Sequence, residues 1–351
     1  MKILLDYTYD QIVEIVQSLG EPKFRAKQLW DWLVKGYELD EMSNLPKAFV
    51  QKLQDGGCKA MGVEIAQCLE SKLDGTKKYI FRLYDGNVIE GVLMKYKYGN
   101  TICVSTQVGC RMNCAFCASG LGGLVRNLSA GEILGQVIAV NRDNMQGKDR
   151  AITNIVLMGS GEPLDNYDNV TSFLRLVSSE DGLNISRRNI SLSTCGLVDN
   201  IKRLADENLG VTMTISLHAP NDELRKTIMP IAKRYSIQEI MQAVRYYFDK
   251  TGRRIIFEYS MIDGKNDSIQ CADELARLVK GLSCHINLIK LNYVKERGLS
   301  GTKIDRVKAF MKRLEEHNVS CSLRRTMGSD IDGACGQLRR KFIASEVDYQ
   351  D

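Results

Sequence analysis

The sequence predicts an α/β protein with a central parallel sheet, either open or curled into a partial (β/α)6 barrel. From about residue 100, short runs of β-branched and apolar residues alternate with amphipathic stretches, as repeated βα units require. Six runs are predicted strands, at residues 101–105, 152–159, 189–194, 211–218, 254–262 and 285–292. Residues 319–325 are a candidate seventh strand. In such folds the active site forms at the carboxyl ends of the strands, so the residues that follow each run are candidate site residues.

The residues before this region predict a small helical domain. Residues 8–20, 21–36 and 44–54 each carry apolar side chains on one helical face, and Gly20 and Gly36 suit helix ends. Three short amphipathic helices of this kind can bury their apolar faces against one another in a bundle. The first 70 or so residues are therefore predicted to be helical.

A third part is predicted between the helices and the alternating region. Residues 71–98 alternate polar with apolar side chains and hold Asp-Gly pairs at 74–75 and 85–86, which predicts antiparallel hairpins. The predicted organisation is a helical domain at residues 1–70, a β-hairpin extension at 71–99 and a barrel domain at 100–345.

The composition is that of a globular protein that can bury a large core. The 351 residues are 44% hydrophobic and 26% charged, with a net charge of +5. No apolar run approaches the ~20 residues of a membrane-spanning helix, so no such helix is expected. Asp6 and Asp10 interrupt the short apolar start, which argues against a signal peptide and predicts a cytoplasmic protein.

Positive charge is concentrated in the second half of the chain. Residues 1–100 hold 14 Lys and Arg against 14 Asp and Glu, whereas residues 201–351 hold 26 against 20. Basic clusters occur at Lys77-Lys78, Lys95/Lys97, Arg187-Arg188, Lys233-Arg234, Arg253-Arg254, Arg324-Arg325 and Arg339-Arg340-Lys341. Such clusters are either solvated surface or parts of a phosphate-binding face, and charge alone leaves both open.

The eleven cysteines indicate reduced thiols, metal binding or redox chemistry rather than a disulfide framework. Three of them form a C-x3-C-x2-C pattern directly after the first predicted strand: Cys110, Cys114 and Cys117. Three thiolates on one loop suit a soft metal centre. A zinc site needs a fourth ligand, from His218, His285, His317 or a distant cysteine. A [4Fe–4S] cluster held by only three thiolates keeps one iron open for a substrate or cofactor.

This cysteine pattern resembles that of a known superfamily. C-x3-C-x2-C after the first strand of a βα barrel is similar to the radical S-adenosylmethionine (SAM) enzymes. In those enzymes the open iron binds the amino and carboxylate groups of SAM, and the reduced cluster splits SAM to give a 5′-deoxyadenosyl radical. Further motifs, spread over nearly the whole chain, resemble the RlmN family of adenine-C2 RNA methyltransferases, close relatives of the Cfr C8 methyltransferases. These motifs are FRAKQLWDWLVKG, CVSTQVGC, RNLSAGEI, MGSGEPLDN, LSTCG, SLHAPND and DIDGACGQL.

The resemblance implies chemical roles for three further residues. One SAM methylates Cys335, and the radical from a second SAM removes a hydrogen atom from that S-methyl group. The resulting carbon radical adds to the adenine and joins protein to RNA. Cys103 then releases the product by forming a Cys103–Cys335 disulfide, and Glu90 accepts a proton. Apart from the resemblance, Cys103 could equally be a small buried strand residue, Cys335 an ordinary loop residue and Glu90 an exposed hairpin carboxylate.

The resemblance also implies a SAM site. Its residues all follow or end predicted strands: Gly161, Glu162, Ser193, Ser216, Leu217, His218 and Asn292. The chain departs from the family after Asn292, where NYVKERGLSG stands in place of the usual proline-rich loop. The contacts that this loop makes with SAM or RNA in the family are therefore not carried over to this chain.

The function implied is methylation of C2 of adenine 2503 in 23S ribosomal RNA and of adenine 37 in some transfer RNAs. One [4Fe–4S] cluster per chain, two SAM molecules per turnover, an electron donor such as flavodoxin or ferredoxin, and a monomer that binds no membrane are implied as well. The helical domain, an RNA-docking module by this resemblance, is neutral, so RNA recognition is expected to rest on the hairpin lysines and the basic clusters of the barrel.

Two alternatives to this function are a Cfr-type C8 methyltransferase, associated with antibiotic resistance, and a non-catalytic zinc protein that binds RNA. The TQVGC and SLHAPND motifs favour the C2 branch over the C8 branch.

Overall fold

The computed structural model describes residues 2–147, 150–331, 338–339 and 342–343, and a long mixed sheet runs through its centre. Within these residues the sheet holds ten strands, in which seven parallel strands are continued by three antiparallel ones. The predicted α/β class with a parallel sheet is therefore confirmed, and the candidate seventh strand is present.

The N-terminal bundle, residues 2–59, precedes the sheet. Its elements are β1 (Lys2–Ile3), α1 (Tyr9–Ser18), α2 (Phe24–Leu33), α3 (Lys47–Asp55) and β2 (Cys58–Lys59). Thr8 begins α1 with a capping box, in which its hydroxyl accepts a hydrogen bond from the Gln11 backbone N–H. The buried Trp30 donates from Nε1 to the Asp181 carbonyl, 2.6 Å away and outside the bundle. Bundle and sheet share one continuous apolar core.

An antiparallel extension follows the bundle. It consists of β3 (Val63–Glu70), β4 (Lys77–Leu83) and β5 (Val88–Tyr96). The two predicted Asp-Gly pairs lie in the connections between these strands. The prediction of helix to about residue 70 is wrong for residues 63–70. The run VEIAQCLE mixes helix-favouring Ala, Gln and Glu with β-favouring Val and Ile, and its pairing with β4 decides its form.

The parallel region begins with β6 (Gly99–Cys103), which pairs antiparallel with β5 on one side. After it, the short pair β7 (Gln107–Gly109) and β8 (Leu124–Asn127) encloses the loop that contains the three clustered cysteines. The other parallel strands are β9 (Ile152–Leu157), β10 (Ile190–Thr194), β11 (Thr212–Ser216), β12 (Ile255–Met261), β13 (Cys284–Lys290) and β14 (Cys321–Leu323). They lie side by side in chain order, as repeated βα units do. The region from β6 to β14, with its helices, is called the barrel below.

Helices connect the parallel strands. They are α4 (Ala130–Asn144), α5 (Tyr167–Val177), α6 (Val198–Glu207), α7 (Asp222–Ile228), α8 (Ile237–Thr251), α9 (Ile269–Val279) and α10 (Ile304–Glu316). Ser129 and Ser236 begin α4 and α8 with capping boxes, which fixes where each helix leaves its loop. In the part of the chain that the structure describes, no helix is both long enough and apolar enough to cross a membrane.

Candidate active site

The carboxyl ends of the parallel strands carry most of the residues that the sequence singles out. Along this rim lie Cys103, Gly161, Glu162, Ser193, Ser216, Leu217 and His218. Asn292 follows β13 by two residues, and its side chain is exposed. Because the strands are parallel and adjacent, the sheet places these residues along one edge, as the prediction requires.

The cysteine loop, residues 110–123, is closed at its base by a glycine. Gly109 has a φ of +79°, and a Cβ there would lie 2.0 Å from the Gly123 carbonyl oxygen, so a larger residue would open the loop. The Cys110 N–H donates to this same carbonyl at 2.8 Å. Farther along, the Cys117 N–H donates to the Cys114 carbonyl at 3.1 Å, in a tight turn that brings these two residues together.

The three thiols of the loop interact electrostatically. Burial raises the pKa of Cys110 to about 12, with a further contribution from Cys117. Burial, then the charges of Cys117 and Cys110, also raise the pKa of Cys114. Thiols that influence one another in this way lie close enough to serve one bound centre. Metals bind the thiolate form of cysteine. The metal of the bound centre therefore has to displace the thiol protons of Cys110, Cys114 and Cys117.

The buried Arg225 indicates that the occupied site carries negative charge. Its fully buried side chain donates from Nε to the Leu217 carbonyl at 3.1 Å and from Nη2 to the Cys195 carbonyl at 2.6 Å. Within the described residues its Nη1 has no hydrogen-bond partner. A buried guanidinium bound to neutral carbonyls calls for negative groups nearby, and Cys195, Cys114 and the Asp222 carboxylate lie within electrostatic range of it.

A [4Fe–4S] cluster held by three thiolates fits these observations, because it is a negatively charged group. A single ion fits less well: across the described ranges, no three Cys, His, Asp or Glu side chains are arranged to share one metal ion. A four-iron cluster is larger than one ion and spaces its thiolates farther apart.

Glu162 is fixed at the end of β9 by three hydrogen bonds. Its N–H donates to Gln107 Oε1 at 2.8 Å, and its carboxylate accepts from the N–H groups of Leu164 and Cys195 at 3.0 and 2.7 Å. Burial raises the pKa of this carboxyl group. Gly161 beside it has a φ of +107°, and a Cβ there would lie 2.6 Å from Gln107 Cβ, so this approach requires glycine.

Ser193, Ser216 and His218 line the next part of the rim. The two serine hydroxyls are 3.3 Å apart. His218 is buried, and its Nδ1 accepts from the Ser260 N–H at 2.9 Å. Burial, and to a smaller extent Arg225, lower the pKa of His218 to about 3, so its ring is neutral and carries its proton on Nε2. The ring packs edge-on against Phe116 of the cysteine loop, with 4.7 Å between centroids.

Glu90 and Cys103 share one face of the sheet. Val92 pairs with Cys103 across β5 and β6, and Glu90 lies two residues before Val92 on the same strand. Glu90 is only 6% exposed, so the alternative of an exposed hairpin carboxylate is wrong. Its carboxylate lies 3.4 Å from Nζ of the fully buried Lys78 and accepts a hydrogen bond from the Arg339 backbone N–H.

A cavity of about 140 Å³ connects Glu90 with the cysteine loop. Its lining residues are Glu90, Ala118, Ser119, Leu121, Gly122, Ser160 and Arg339. Cys103 lies in an apolar group with Val92 and Met94 on the same sheet face. Cys335 lies outside the described residues. A much larger groove, of about 1410 Å³, lies between the N-terminal bundle and the antiparallel extension, away from the cysteine loop.

The sequence analysis did not predict the positions of three basic residues in the site. Lys78 belongs to a predicted surface cluster, yet it is buried beside Glu90, and so it is not available to bind RNA. The sequence evidence for this burial is that Lys78 and Ile80 are two residues apart in KKYIFRL and so lie on the same strand face. Arg324, from another such cluster, lies 3.8 Å from the buried Glu258 carboxylate. The burial of Arg225 could not be predicted, because NDELRKTI has the pattern of an ordinary helix start.

Two family models match this chain. Residues 104–279 match the radical SAM superfamily, and residues 3–58 match the ribosomal RNA large subunit methyltransferase N-terminal domain. The first match contains the cysteine loop and strands β7 to β12, and the second coincides with the N-terminal bundle.

Similar proteins cover almost the entire chain. The chain is 52% identical over 345 residues to the "probable dual-specificity RNA methyltransferase RlmN" of Lachnospira eligens, covering 98% of this chain and 97% of that protein. Identity to the RlmN of Clostridium perfringens (strain SM101) is 52% over 349 residues, 99% of each chain. The crystal structure of a radical SAM methyltransferase from Sphaerobacter thermophilus matches with a TM-score of 0.92 and 41% identity, covering 96% of this chain and 99% of that one. Superfamily membership implies SAM and a [4Fe–4S] cluster as cofactors. The chain therefore belongs to the RlmN family of radical SAM RNA methyltransferases.

Proposed function

We propose that this enzyme methylates C2 of adenine 2503 in 23S ribosomal RNA and of adenine 37 in a subset of transfer RNAs. The observation that carries this proposal is the placement of Glu90 and Cys103 on one sheet face, with a cavity that leads from Glu90 to the cysteine loop. This placement supports the proposal, because it puts a carboxylate beside the cysteine loop and a thiol on the same sheet face. The named relatives favour this activity over the C8 alternative.

Cys110, Cys114 and Cys117 are the proposed cluster ligands. When bound, the cluster supplies the electron that cleaves SAM to a 5′-deoxyadenosyl radical. The protein's part is to hold the loop: Gly109 closes its base, and the Ala115 N–H donates to the Ile228 carbonyl at 2.8 Å. Arg225 lies on the protein side and offsets the negative charge of three thiolates.

The proposed SAM contacts are Gly161, Glu162, Ser193, Ser216, Leu217, His218 and Asn292. The Glu162 carboxylate is oriented by the Leu164 and Cys195 N–H groups and supplies the negative charge that the SAM ammonium group needs. The Ser193 and Ser216 hydroxyls, 3.3 Å apart, can donate to or accept from the same ligand group. The neutral His218 leaves its Nε2–H available as a donor.

Cys335, Cys103 and Glu90 are proposed to carry the methyl transfer. Cys335 receives a methyl group from one SAM and, after loss of a hydrogen atom, joins that carbon to C2 of the adenine. Glu90 accepts the C2 proton, since its buried carboxylate is directed to the cavity beside the cysteine loop. The adduct radical gives up one electron, which the oxidised cluster would take back. The Cys103 thiolate then attacks the sulfur of Cys335, the carbon–sulfur bond breaks, and the released carbon takes up a proton to complete the methyl group, leaving a Cys103–Cys335 disulfide. An external reductant restores both thiols.

The proposal extends to the partners. RNA is the substrate, the reducing electron comes from a flavodoxin or ferredoxin, and the enzyme acts in the cytoplasm as a monomer. The alternative of a non-catalytic zinc protein is not supported, because the relatives are methyltransferases over their whole length.

The first test is an anaerobic assay of the reconstituted enzyme with protein-free 23S ribosomal RNA, a reductant and methyl-labelled SAM. Mass spectrometry of the digested nucleosides should show 2-methyladenosine. A product of 8-methyladenosine would assign the enzyme to the C8 branch instead. No methylated base from a protein with an intact cluster would contradict the proposed substrate.

Two cysteine variants separate the roles within this chemistry. In Cys335→Ala, methyl transfer should stop while SAM cleavage continues. In Cys103→Ala, a covalent protein–RNA adduct should accumulate and appear as a shifted band on a denaturing gel. Normal turnover by Cys103→Ala would show that another thiol resolves the adduct. Cys68→Ala, which alters an exposed thiol outside the site, is the matched control.

A further inference from the structure

The loop after Asn292, with the sequence NYVKERGLSG, has a defined conformation. Lys295–Arg297 form one turn of 3-10 helix, and Gly298 ends it with a φ of +63°. Val294, at the start of the turn, is buried, whereas Lys295 is exposed. The turn therefore has one anchored side and one solvent side.

The far end of this loop, residues 300–302, is attached to the segment that follows β12. Gly301 forms an isolated bridge with Ile262, just beyond β12, and the Asp263 N–H donates to the Ser300 carbonyl at 3.0 Å. Thr302 is buried and donates from its hydroxyl to Asp267 at 3.0 Å. These attachments fix the turn in place over the rim.

Arg297 extends from this turn to the cysteine loop. Its Nε donates to the Cys117 carbonyl at 3.2 Å, and its Nη2 donates to Asn113 Oδ1 at 2.7 Å. Asn113 has a φ of +49°, a conformation that most side chains disfavour. A Cβ at Gly120 would lie 3.3 Å from the same Nη2, so the guanidinium occupies a close-fitting place.

We propose that Arg297 is a positioning residue for the iron–sulfur cluster. It ties two points of the cysteine loop, Asn113 and Cys117, to the barrel and places a fixed positive charge beside the cluster. This inference rests on the proposed cluster ligands. It gives the loop after Asn292 a role that the sequence analysis left open.

The two parts of this role have different chemical requirements. A guanidinium is planar and has several N–H donors, so it can bridge two acceptors, whereas an ammonium group supplies the charge without that bridge. A nearby positive charge stabilises the reduced cluster relative to the oxidised one and so raises its midpoint potential. For a partly exposed charge near the cluster, loss of the charge should lower the ratio of reduced to oxidised cluster about two- to tenfold at a fixed potential.

The test uses the full-length, reconstituted enzyme without RNA. Arg297→Met removes charge and bridge, Arg297→Lys keeps the charge alone, and Lys295→Met removes an exposed charge from the same turn as the matched control. The midpoint potential is measured by anaerobic redox titration followed by electron paramagnetic resonance. Cluster retention is measured as the rate of iron release to a chelator.

Arg297→Met should lower the midpoint potential and speed iron release, whereas Lys295→Met should match the wild type. Arg297→Lys should recover most of the potential but not the slow iron release. Wild-type values in Arg297→Met for both quantities would overturn the inference and leave the proposed function intact. A wild-type protein that assembles no cluster, or whose cluster spectrum does not respond to SAM, would overturn the proposed function and the inference together.

Discussion

Two cations, Arg225 and Lys78, flank the proposed reacting groups from the protein side, and both are fully buried. Lysine and arginine are rarely buried to this extent without a charged partner. Lys78 has the Glu90 carboxylate 3.4 Å away, and Arg225 lies within electrostatic range of Cys195, Cys114 and the Asp222 carboxylate. At the scale of single residues, the interior of the site is arranged to stabilise negative groups.

We expect Lys78→Met to lower the free energy of unfolding by about 3–5 kcal/mol, because it leaves the Glu90 carboxylate buried without this cation. Denaturant unfolding of the wild type and the variant measures the difference. The double variant Lys78→Met/Glu90→Gln should recover most of the loss, since no buried charge is left behind. If the double variant were as unstable as the single one, lost packing rather than lost charge would be the cause.

His218 should make stability depend on pH. Burial and Arg225 lower its pKa to about 3, below the ordinary value of 6.5 that the unfolded chain retains. Below about pH 6.5 protons therefore bind the unfolded chain preferentially, so stability is complete above this pH and falls towards pH 3. Between about pH 5.5 and 4.5 the wild type should lose about 1.4 kcal/mol per pH unit more than His218→Gln. Urea unfolding at several pH values checks this, and parallel curves would contradict it.

The sequence is sufficient to find the rim residues but not their surroundings. Cys110, Cys114 and Cys117 are recognisable because ligand spacing within one loop is local, and Glu162 because it follows a predicted strand. The burial of Lys78, Glu90 and Arg225 depends instead on which element packs over them. A single sequence does not contain this tertiary information in any local pattern.

At the scale of elements, the antiparallel extension holds the chain on both sides of Cys335. Before it, the Asp330 carboxylate accepts from the Ser71 hydroxyl at 2.6 Å and from the Lys72 N–H at 3.0 Å. After it, Leu338 packs in an apolar group with Ile80 and Val88. The extension thus holds Asp330 and Leu338, the described residues that flank Cys335 in the sequence.

Leu338→Ala should loosen this attachment, because removing a buried leucine side chain costs about 2–5 kcal/mol. Hydrogen exchange in residues 338–343 should accelerate, and the yield of methylated RNA per SAM cleaved should fall. Ile343→Ala, at a position that is 37% exposed in the same segment, is the control and should change neither quantity. Unchanged coupling in Leu338→Ala would show that this attachment does not position Cys335.

Elements with a single strong pattern were predictable, and those with a mixed pattern were not. The predicted runs at 189–194 and 254–262 correspond to β10 and β12 because β-branched and apolar residues dominate them. Residues 63–70 have comparable helix and strand preferences, so only the pairing with β4 makes them a strand. The local sequence of residues 63–70 does not contain this information, because it depends on a partner strand elsewhere in the chain.

At the scale of the whole molecule, the N-terminal bundle is packed against the barrel rather than merely linked to it. Trp30 bonds to the Asp181 carbonyl, and Arg142 of α4 bonds to the Gly36 carbonyl and, through both terminal nitrogens, to Glu41. The buried side chains of both regions form one cluster. Unfolding the bundle alone would expose the helix surfaces against which it packs.

We therefore expect bundle and barrel to unfold together. Both tryptophans of the chain, Trp30 and Trp32, lie in α2, so tryptophan fluorescence reports on the bundle, whereas far-ultraviolet circular dichroism reports mainly on the larger barrel. The two signals should give the same midpoint in urea. A fluorescence midpoint at clearly lower urea would show that the bundle unfolds independently.

The two ends of the long sheet bear on how the protein behaves at high concentration. At one end of the described sheet lies β14, which has only three residues; at the other lies β3, which has a bulge between Ile65 and Gln67 and exposed Glu64 and Glu70 side chains. Unpaired strand edges invite pairing between molecules, and short length, bulges and charges all oppose it. Both ends of the described sheet thus carry features that oppose edge-to-edge aggregation.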